Sequence, residues 1–138
     1  MAEAAAGKVS FELVSPERLL FSADVDMVVV PGAEGDFGIL PGHSLFLSQI
    51  RPGVIEVYNK GAVTDRIFIA GGFAEATPKR CTVLADAAVP VSELRRDEIE
   101  TKLRDAREDV TDAADEAARK TAEREVAVLE AMLAAARA

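Results

Sequence analysis

Over the first ninety residues, apolar and polar positions alternate in short runs broken by Gly and Pro, whereas over the last 48 the apolar positions recur every three or four residues. The first pattern predicts strands with one buried face. Val9, Phe11 and Leu13 form one such row, and further runs cover Arg18–Phe21, Val25–Val30, Phe37–Leu40, Leu45–Ile50, Val54–Tyr58, Arg66–Ala70, Phe73–Thr77 and Cys81–Ala85. Eight to ten short strands at this spacing predict a β-sandwich or barrel. The adjacent glycines Gly71 and Gly72 interrupt what otherwise reads as one long strand from Ile67 to Ala76, and predict a kink, a bulge or a close backbone approach.

The second pattern predicts two helices. Ser92 is placed to cap the first, with Ile99, Leu103, Ala106 and Val110 as its apolar stripe. Asp109-Val110-Thr111-Asp112 is the expected turn, with Asp112 capping a second helix whose stripe is Ala118, Ala122, Val126, Leu129, Met132 or Leu133, and Ala136. Four acid-before-base pairs at i,i+4 support these helices: Glu98 with Lys102, Glu100 with Arg104, Asp115 with Arg119, and Glu116 with Lys120. Stripes this rich in alanine bury little area per turn, so the hairpin is expected to adhere weakly and to be able to undock.

Composition sharpens the boundary. All nine glycines and all six prolines lie at or before Pro90, and the last 48 residues hold twelve alanines. The expected architecture is therefore α+β by segments: a β-sandwich over residues 1–90 and an antiparallel two-helix hairpin over 91–138. Each segment is acidic, with 7 basic and 11 acidic groups in the first and 9 and 13 in the second. The net charge of -8 would repel a phosphate backbone, so no nucleic acid is expected as a partner. A sandwich of about 85 residues buries only roughly 60 to 65% of its unfolded surface, so it gains from a partner covering one face.

Candidate chemistry is sparse. Cys81 is the one cysteine, which excludes an intrachain disulfide and a zinc cage, and its strand position suits a small core residue. His43 is the one histidine, so no two-histidine metal site exists. No pair of carboxylates sits in an apolar setting that would split acid and base roles. No catalytic residue, metal or cofactor is expected. The start MAEAAAGK has no basic segment followed by an apolar run, and uninterrupted apolar stretches such as Met27 to Pro31 fall far short of a membrane span, so no direct membrane insertion is expected.

The densest motif runs from Pro31 to His43, with four glycines and two prolines in thirteen residues. It lacks the terminal Lys-Ser/Thr of a phosphate-binding loop, and Glu34 and Asp36 would repel phosphate. Two tight turns around a short edge strand fit better, presenting Glu34, Asp36 and His43 outward as an acidic rim suited to a basic partner.

That run, Pro31-Gly-Ala-Glu-Gly-Asp-Phe-Gly-Ile-Leu-Pro-Gly-His43, followed by Ser44-Leu45, Arg51-Pro52-Gly53, Ala70-Gly71-Gly72-Phe73-Ala74-Glu75 and Val83-Leu84-Ala85-Asp86-Ala87, closely resembles the epsilon subunit of bacterial F-type ATP synthases. The resemblance covers essentially the whole chain. It implies a ten-stranded sandwich and a hairpin in a non-catalytic rotor part, with one sandwich face on the gamma subunit and the lower rim on the polar loops of the c-ring. Carried over by position, the c-ring contact falls on Glu34, Asp36 and His43. The resemblance also implies a peripheral place at the cytoplasmic face of the bacterial inner membrane, and a hairpin able to extend towards the alpha/beta catalytic head. Some members of that family bind ATP through an Ile/Leu-Asp-x-x-Arg-Ala signature. Here Leu94-Arg95-Arg96-Asp97-Glu98-Ile99 puts arginine in place of the aspartate and glutamate in place of the arginine, so ATP is not expected as a ligand. The alternatives are an ATP-responsive inhibitor of hydrolysis that works by hairpin extension, and an unrelated adaptor.

Overall fold

The computed structural model describes residues 7–137; the reading of the first six residues lies outside them. The chain divides at Pro90/Val91 into two compact units, described in turn.

The first unit holds ten strands: β1 (Val9–Val14), β2 (Leu19–Val25), β3 (Met27–Gly32), β4 (Gly35–Ile39), β5 (Phe46–Ile50), β6 (Gly53–Asn59), β7 (Ala62–Ile69), β8 (Gly72–Ala76), β9 (Arg80–Ala85) and β10 (Ala88–Pro90). Their order is β10-β7-β6-β3-β5-β8-β9-β1-β2, with β4 paired to β3. The β3–β5 junction is a single register pair, Gly32 with Ile50, so the ladder folds there into two layers. Between the layers lies one core built from the inward positions of each strand: Val9, Phe11 and Leu13 of β1, Val28 and Val30 of β3, Ile55 and Val57 of β6, and Cys81, Val83 and Ala85 of β9. Strict alternation explains this set, since a residue at every second position shares one face.

One strand boundary differs from the sequence expectation. The run Val25–Val30 is split by a turn at Asp26, which ends β2 and starts β3. The Asp26 carboxylate pairs with Lys8 and accepts the Lys60 backbone N–H at 2.6 Å, tying the β2–β3 turn to the β6–β7 turn. Those bonds, the Lys8 hydrogen bond foremost, hold the Asp26 pKa below its ordinary 3.8. Gly71 and Gly72 interrupt the stretch from Ile67 to Ala76 as expected, at the passage from β7 into β8: β7 pairs with β6 and β10, and β8 with β5 and β9. The close approach is at Gly72, with φ +144° and an added Cβ only 2.0 Å from the Leu84 carbonyl oxygen.

The second unit holds a 3-10 turn (Val91–Glu93) and two helices, α1 (Arg96–Asp112) and α2 (Glu116–Arg137). Ser92 lies inside the 3-10 turn and does not cap α1; the N-cap position is Arg95, whose side chain makes no capping bond. Residues 109–112 remain helical, because the turn comes at 113–115 and it is Asp115, not Asp112, that caps α2, its Oδ1 accepting the Ala118 N–H at 2.8 Å. Asp115 is thereby withdrawn from the expected pair with Arg119, which instead reaches Glu116 and Glu123, each at 3.7 Å. Glu100 likewise takes Arg96 at 3.1 Å and, across the hairpin, Arg137 at 3.4 Å. These cations, Arg96 first, hold the Glu100 carboxyl below its ordinary 4.5.

The hairpin core is Ile99, Leu103, Ala106, Leu129 and Leu133, with Leu94, Val126, Met132 and Ala136 at its margin. It sits at the open end of the hairpin. Towards the turn the expected stripe thins out: Val110 and Ala122 are half-buried and Ala118 is exposed.

Candidate functional site

The residues expected to form a contact rim occupy both ends of β4. The chain leaves β3 at Gly32, turns through Ala33 and Glu34, and enters β4 at Gly35, with Gly32 and Gly35 directly opposed. A side chain at Gly32 is impossible without rearrangement, since its Cβ would lie 2.6 Å from the Gly35 carbonyl and 2.8 Å from the Phe37 ring. The resulting tip is tight, and Glu34 stands exposed on it with no partner among the described residues.

Asp36 is also exposed, yet it is engaged. Its Oδ1 accepts a hydrogen bond from Arg51 Nη2 at 2.6 Å, while Arg51 Nη1 donates to the Gly32 carbonyl. The Arg51 backbone N–H donates to Pro31 O at 3.0 Å and the Ala33 N–H to Gln49 O at 2.9 Å, so four bonds tie the β3–β4 tip to the end of β5 and to Arg51 just beyond it. Arg51 gave no functional signal in the sequence beyond its place in the Arg-Pro-Gly motif; a cation fifteen residues from Asp36 becomes a partner only once β3 and β5 pair.

His43 is half-buried rather than fully outward. Its Nδ1 lies 2.8 Å from the Ser44 carbonyl, a separation that suits an Nδ1–H donor, and its ring packs edge-on against Phe46, which packs edge-on against Phe37. The loop carrying His43 is fixed by Gly42 N–H to Pro78 O at 2.8 Å, which places it beside the β8–β9 turn and the exposed Lys79. The rim therefore mixes signs, with Arg51 and Lys79 among the carboxylates, instead of being purely acidic.

A second surface was not anticipated in detail. On the outer face of the layer β5-β8-β9-β1-β2, register places Phe73 opposite Leu84, Leu84 opposite Val14, and Val14 opposite Leu19. Leu47 stands on the same face of β5, diagonal to Phe73. Leu19, Leu47, Phe73 and Leu84 are 55, 71, 52 and 44% exposed, so an apolar belt crosses five strands in the open. The signal was present in the sequence as large apolar residues at outward positions, Phe73 between small glycine and alanine, and Leu84 between Val83 and Ala85.

Cys81 is fully buried and burial pushes its thiol up to about 12, so it stays protonated and shielded at neutral pH. Among the described residues no group of three or more His, Cys, Asp or Glu could hold a metal, and no helix is long and apolar enough to cross a membrane. The ATP-signature positions Leu94–Ile99 fall on the entry to α1, where Arg95 occupies the N-cap and Glu98 is exposed.

Residues 8–91 match the family described as ATP synthase, Delta/Epsilon chain, beta-sandwich domain. Over its length the chain is 54% identical to an ATP synthase epsilon chain of Rhodospirillum rubrum, covering 91% of this chain and 93% of that one. It is 53% identical to that of Maricaulis maris, covering 95% and 98%. Among solved structures it is similar to a chain of the Euglena gracilis mitochondrial ATP synthase (OSCP/F1/c-ring), with a TM-score of 0.81 and 27% identity over 94% of this chain and 81% of that one. The same fold recurs in a central stalk/c-ring structure of Tetrahymena thermophila, with a TM-score of 0.71 at 16% identity.

Proposed function

The chain belongs to the ATP synthase epsilon family, and on that premise we propose that it is a non-catalytic part of the rotating central stalk, peripheral at the cytoplasmic face of the bacterial inner membrane. Its work is to couple c-ring rotation to the gamma subunit. The observation that carries this reading is the division of one stiff sandwich into two unlike outer surfaces, a broad apolar belt and a narrow charged rim. A belt of Leu19, Leu47, Phe73 and Leu84 suits a long-lived, largely dry interface, and gamma is its proposed occupant. A tip with a free carboxylate at Glu34 and a half-buried His43 suits the small polar loops of the c-ring, where charge fixes register more than it adds affinity. Coupling then needs no chemistry, only a body that does not deform between the two contacts, and a ten-stranded closed core supplies that stiffness.

The test is made in everted membrane vesicles carrying the assembled synthase. Joint charge reversal, Glu34→Lys, Asp36→Lys and His43→Glu, is expected to lower ATP-driven proton pumping by about tenfold, the equivalent of roughly 1.4 kcal/mol of contact energy. ATP hydrolysis continues and the chain remains folded. Unchanged pumping would remove the rim from the coupling path.

A further inference from the structure

We infer that Asp26 is a corner clamp, one carboxylate oxygen holding each layer of the sandwich, and that it acts as a positioning residue which fixes the angle between the layers; its bearing on coupling rests on the role proposed above. β2 ends the layer β5-β8-β9-β1-β2 and β3 belongs to the other, so the chain changes layer through the single residue between Val25 and Met27. Asp26 Oδ1 takes the ammonium of Lys8, which leads into β1 in the first layer. Oδ2 accepts the Lys60 backbone N–H at 2.6 Å, at the β6–β7 turn of the second. The Asp26 N–H itself donates to Tyr58 O at 3.0 Å, which pins the corner to β6 as well.

The other joint along the ladder is the single register pair of Gly32 with Ile50, at the opposite end of β3. On the Asp26 side, β2 and β6 lie close but are not hydrogen-bonded neighbours. Core packing holds the layers together without favouring a direction, whereas two charge-assisted bonds from one carboxylate do favour one. Lys60 shows what the clamp holds. It is the one non-glycine residue with a positive φ among those described, +53°, ahead of Gly61 at +78°. A lysine adopts this left-handed conformation at a cost, and the bond from its N–H to Asp26 offsets it. The lowered Asp26 pKa, caused first by Lys8 and then by the Lys60 N–H, keeps the carboxylate ionised across the neutral range. The Lys8 and Asp26 side chains are 34 and 35% exposed, so the pair adds little to overall stability and its effect is on shape. The apolar belt lies on the first layer alone, so a layer angle that wandered would let the rest of the sandwich lag behind it.

The experiment places one nitroxide label on each layer of the isolated full chain, at Glu75→Cys in β8 and Gly38→Cys in β4, and measures their separation by double electron–electron resonance. Both positions are exposed, a Cβ at Gly38 meets only Met27 Sδ at 3.5 Å, and the native Cys81 is buried. The parent is expected to give one narrow distribution. Asp26→Ala and Lys8→Met each widen it about twofold, and the double variant widens it no further. The exchanged pair Lys8→Glu with Asp26→Lys restores the ion pair but leaves Lys60 without its acceptor, and is expected to stay wide. Lys8→Met, a change confined to the first layer, is expected to quicken amide exchange at Lys60 about threefold while Val83 is unchanged. In the assembled synthase the widened variants hydrolyse ATP but pump fewer protons per ATP, in the order of their widths.

The inference is overturned if Asp26→Ala leaves the distribution narrow, if the exchanged pair restores the parent width, if Lys60 exchange is unmoved in Lys8→Met, or if the widened variants pump as the parent does. Failure of the coupling role looks different: a synthase depleted of this chain would pump as many protons per ATP as one that carries it, while the label distances would still decide whether Asp26 clamps the corner.

Discussion

The sandwich and the hairpin segments carry the same acidic excess of four charges, yet they are held together by different means. In the sandwich, branched and aromatic side chains such as Phe11, Leu13, Ile39, Ile55 and Ile69 are fully enclosed, and strands distant in sequence, β1 and β9 for instance, are bonded neighbours. In the hairpin, the core is five residues, one of them alanine, and the hydrophobics at its margin, Leu94, Val126, Met132 and Ala136, come from the second helix and the residue just after the short turn. The first arrangement resists local deformation, because moving one strand disturbs core positions on several others. The second can open at its thin turn end without disturbing its thicker end. A part that transmits torque is better built the first way, and an arm that changes position the second.

The sharpest way to break the contrast is to damage the sandwich at its tightest point. Gly72→Val places a Cβ where the Leu84 carbonyl already stands, at a φ of +144° that valine rarely adopts. The expected cost is about 3–4 kcal/mol or more, a large fraction of a small domain's stability. Urea unfolding followed by hydrogen exchange of β-sheet amides should show the sandwich lost at a markedly lower urea concentration than in the parent chain. A variant as stable as the parent would mean that the Leu84 backbone yields freely.

Leu103→Ala tests the other side. Leu103 is 4% exposed in a core with few other large residues, and its truncation is expected to cost about 2–3 kcal/mol, confined to the hairpin. Helical ellipticity should fall while sheet amide protection stays. Loss of both together would show that the two units unfold as one.

The smallest effect is electrostatic. Because the Asp26 pKa is lowered in the folded chain, its stabilisation is fully present above the ordinary 3.8 and drains away as pH falls through the folded value. Asp26→Asn is therefore expected to flatten the acid limb of sandwich stability below about pH 4 and to leave neutral-pH helix content unchanged. An acid limb identical in both chains would assign the sensitivity to other carboxylates.

The two regions also differed in how readily they could be read from sequence. Strand runs such as Val54–Tyr58 and Cys81–Ala85 are fixed by period-two alternation and came within a residue or two of β6 and β9. The Val25–Val30 run hid a boundary because a turn at one acidic residue, Asp26, leaves no Gly or Pro signal. Helix faces were legible through Ile99, Leu103, Leu129 and Leu133, but the caps were not. Several Ser and Asp residues near each end could cap equally well, and the choice of Asp115 depends on where the chain reverses. At the rim, Glu34, Asp36 and His43 were visible as chemistry; that Asp36 is bound and His43 half-buried depends on β3–β5 pairing and on Phe46, which lie beyond any local pattern.

In the proposed docking, the tip of the β3–β4 hairpin rests on the c-ring and turns with it. Glu34→Cys, paired with a cysteine in the polar loop of the c subunit, tests this in the assembled enzyme, where the buried Cys81 thiol stays silent under mild oxidation. The account predicts a disulfide in high yield with ATP-driven pumping retained, because both partners belong to the same rotating body. Absence of the bond, or a bond that arrests turnover until it is reduced, would contradict it.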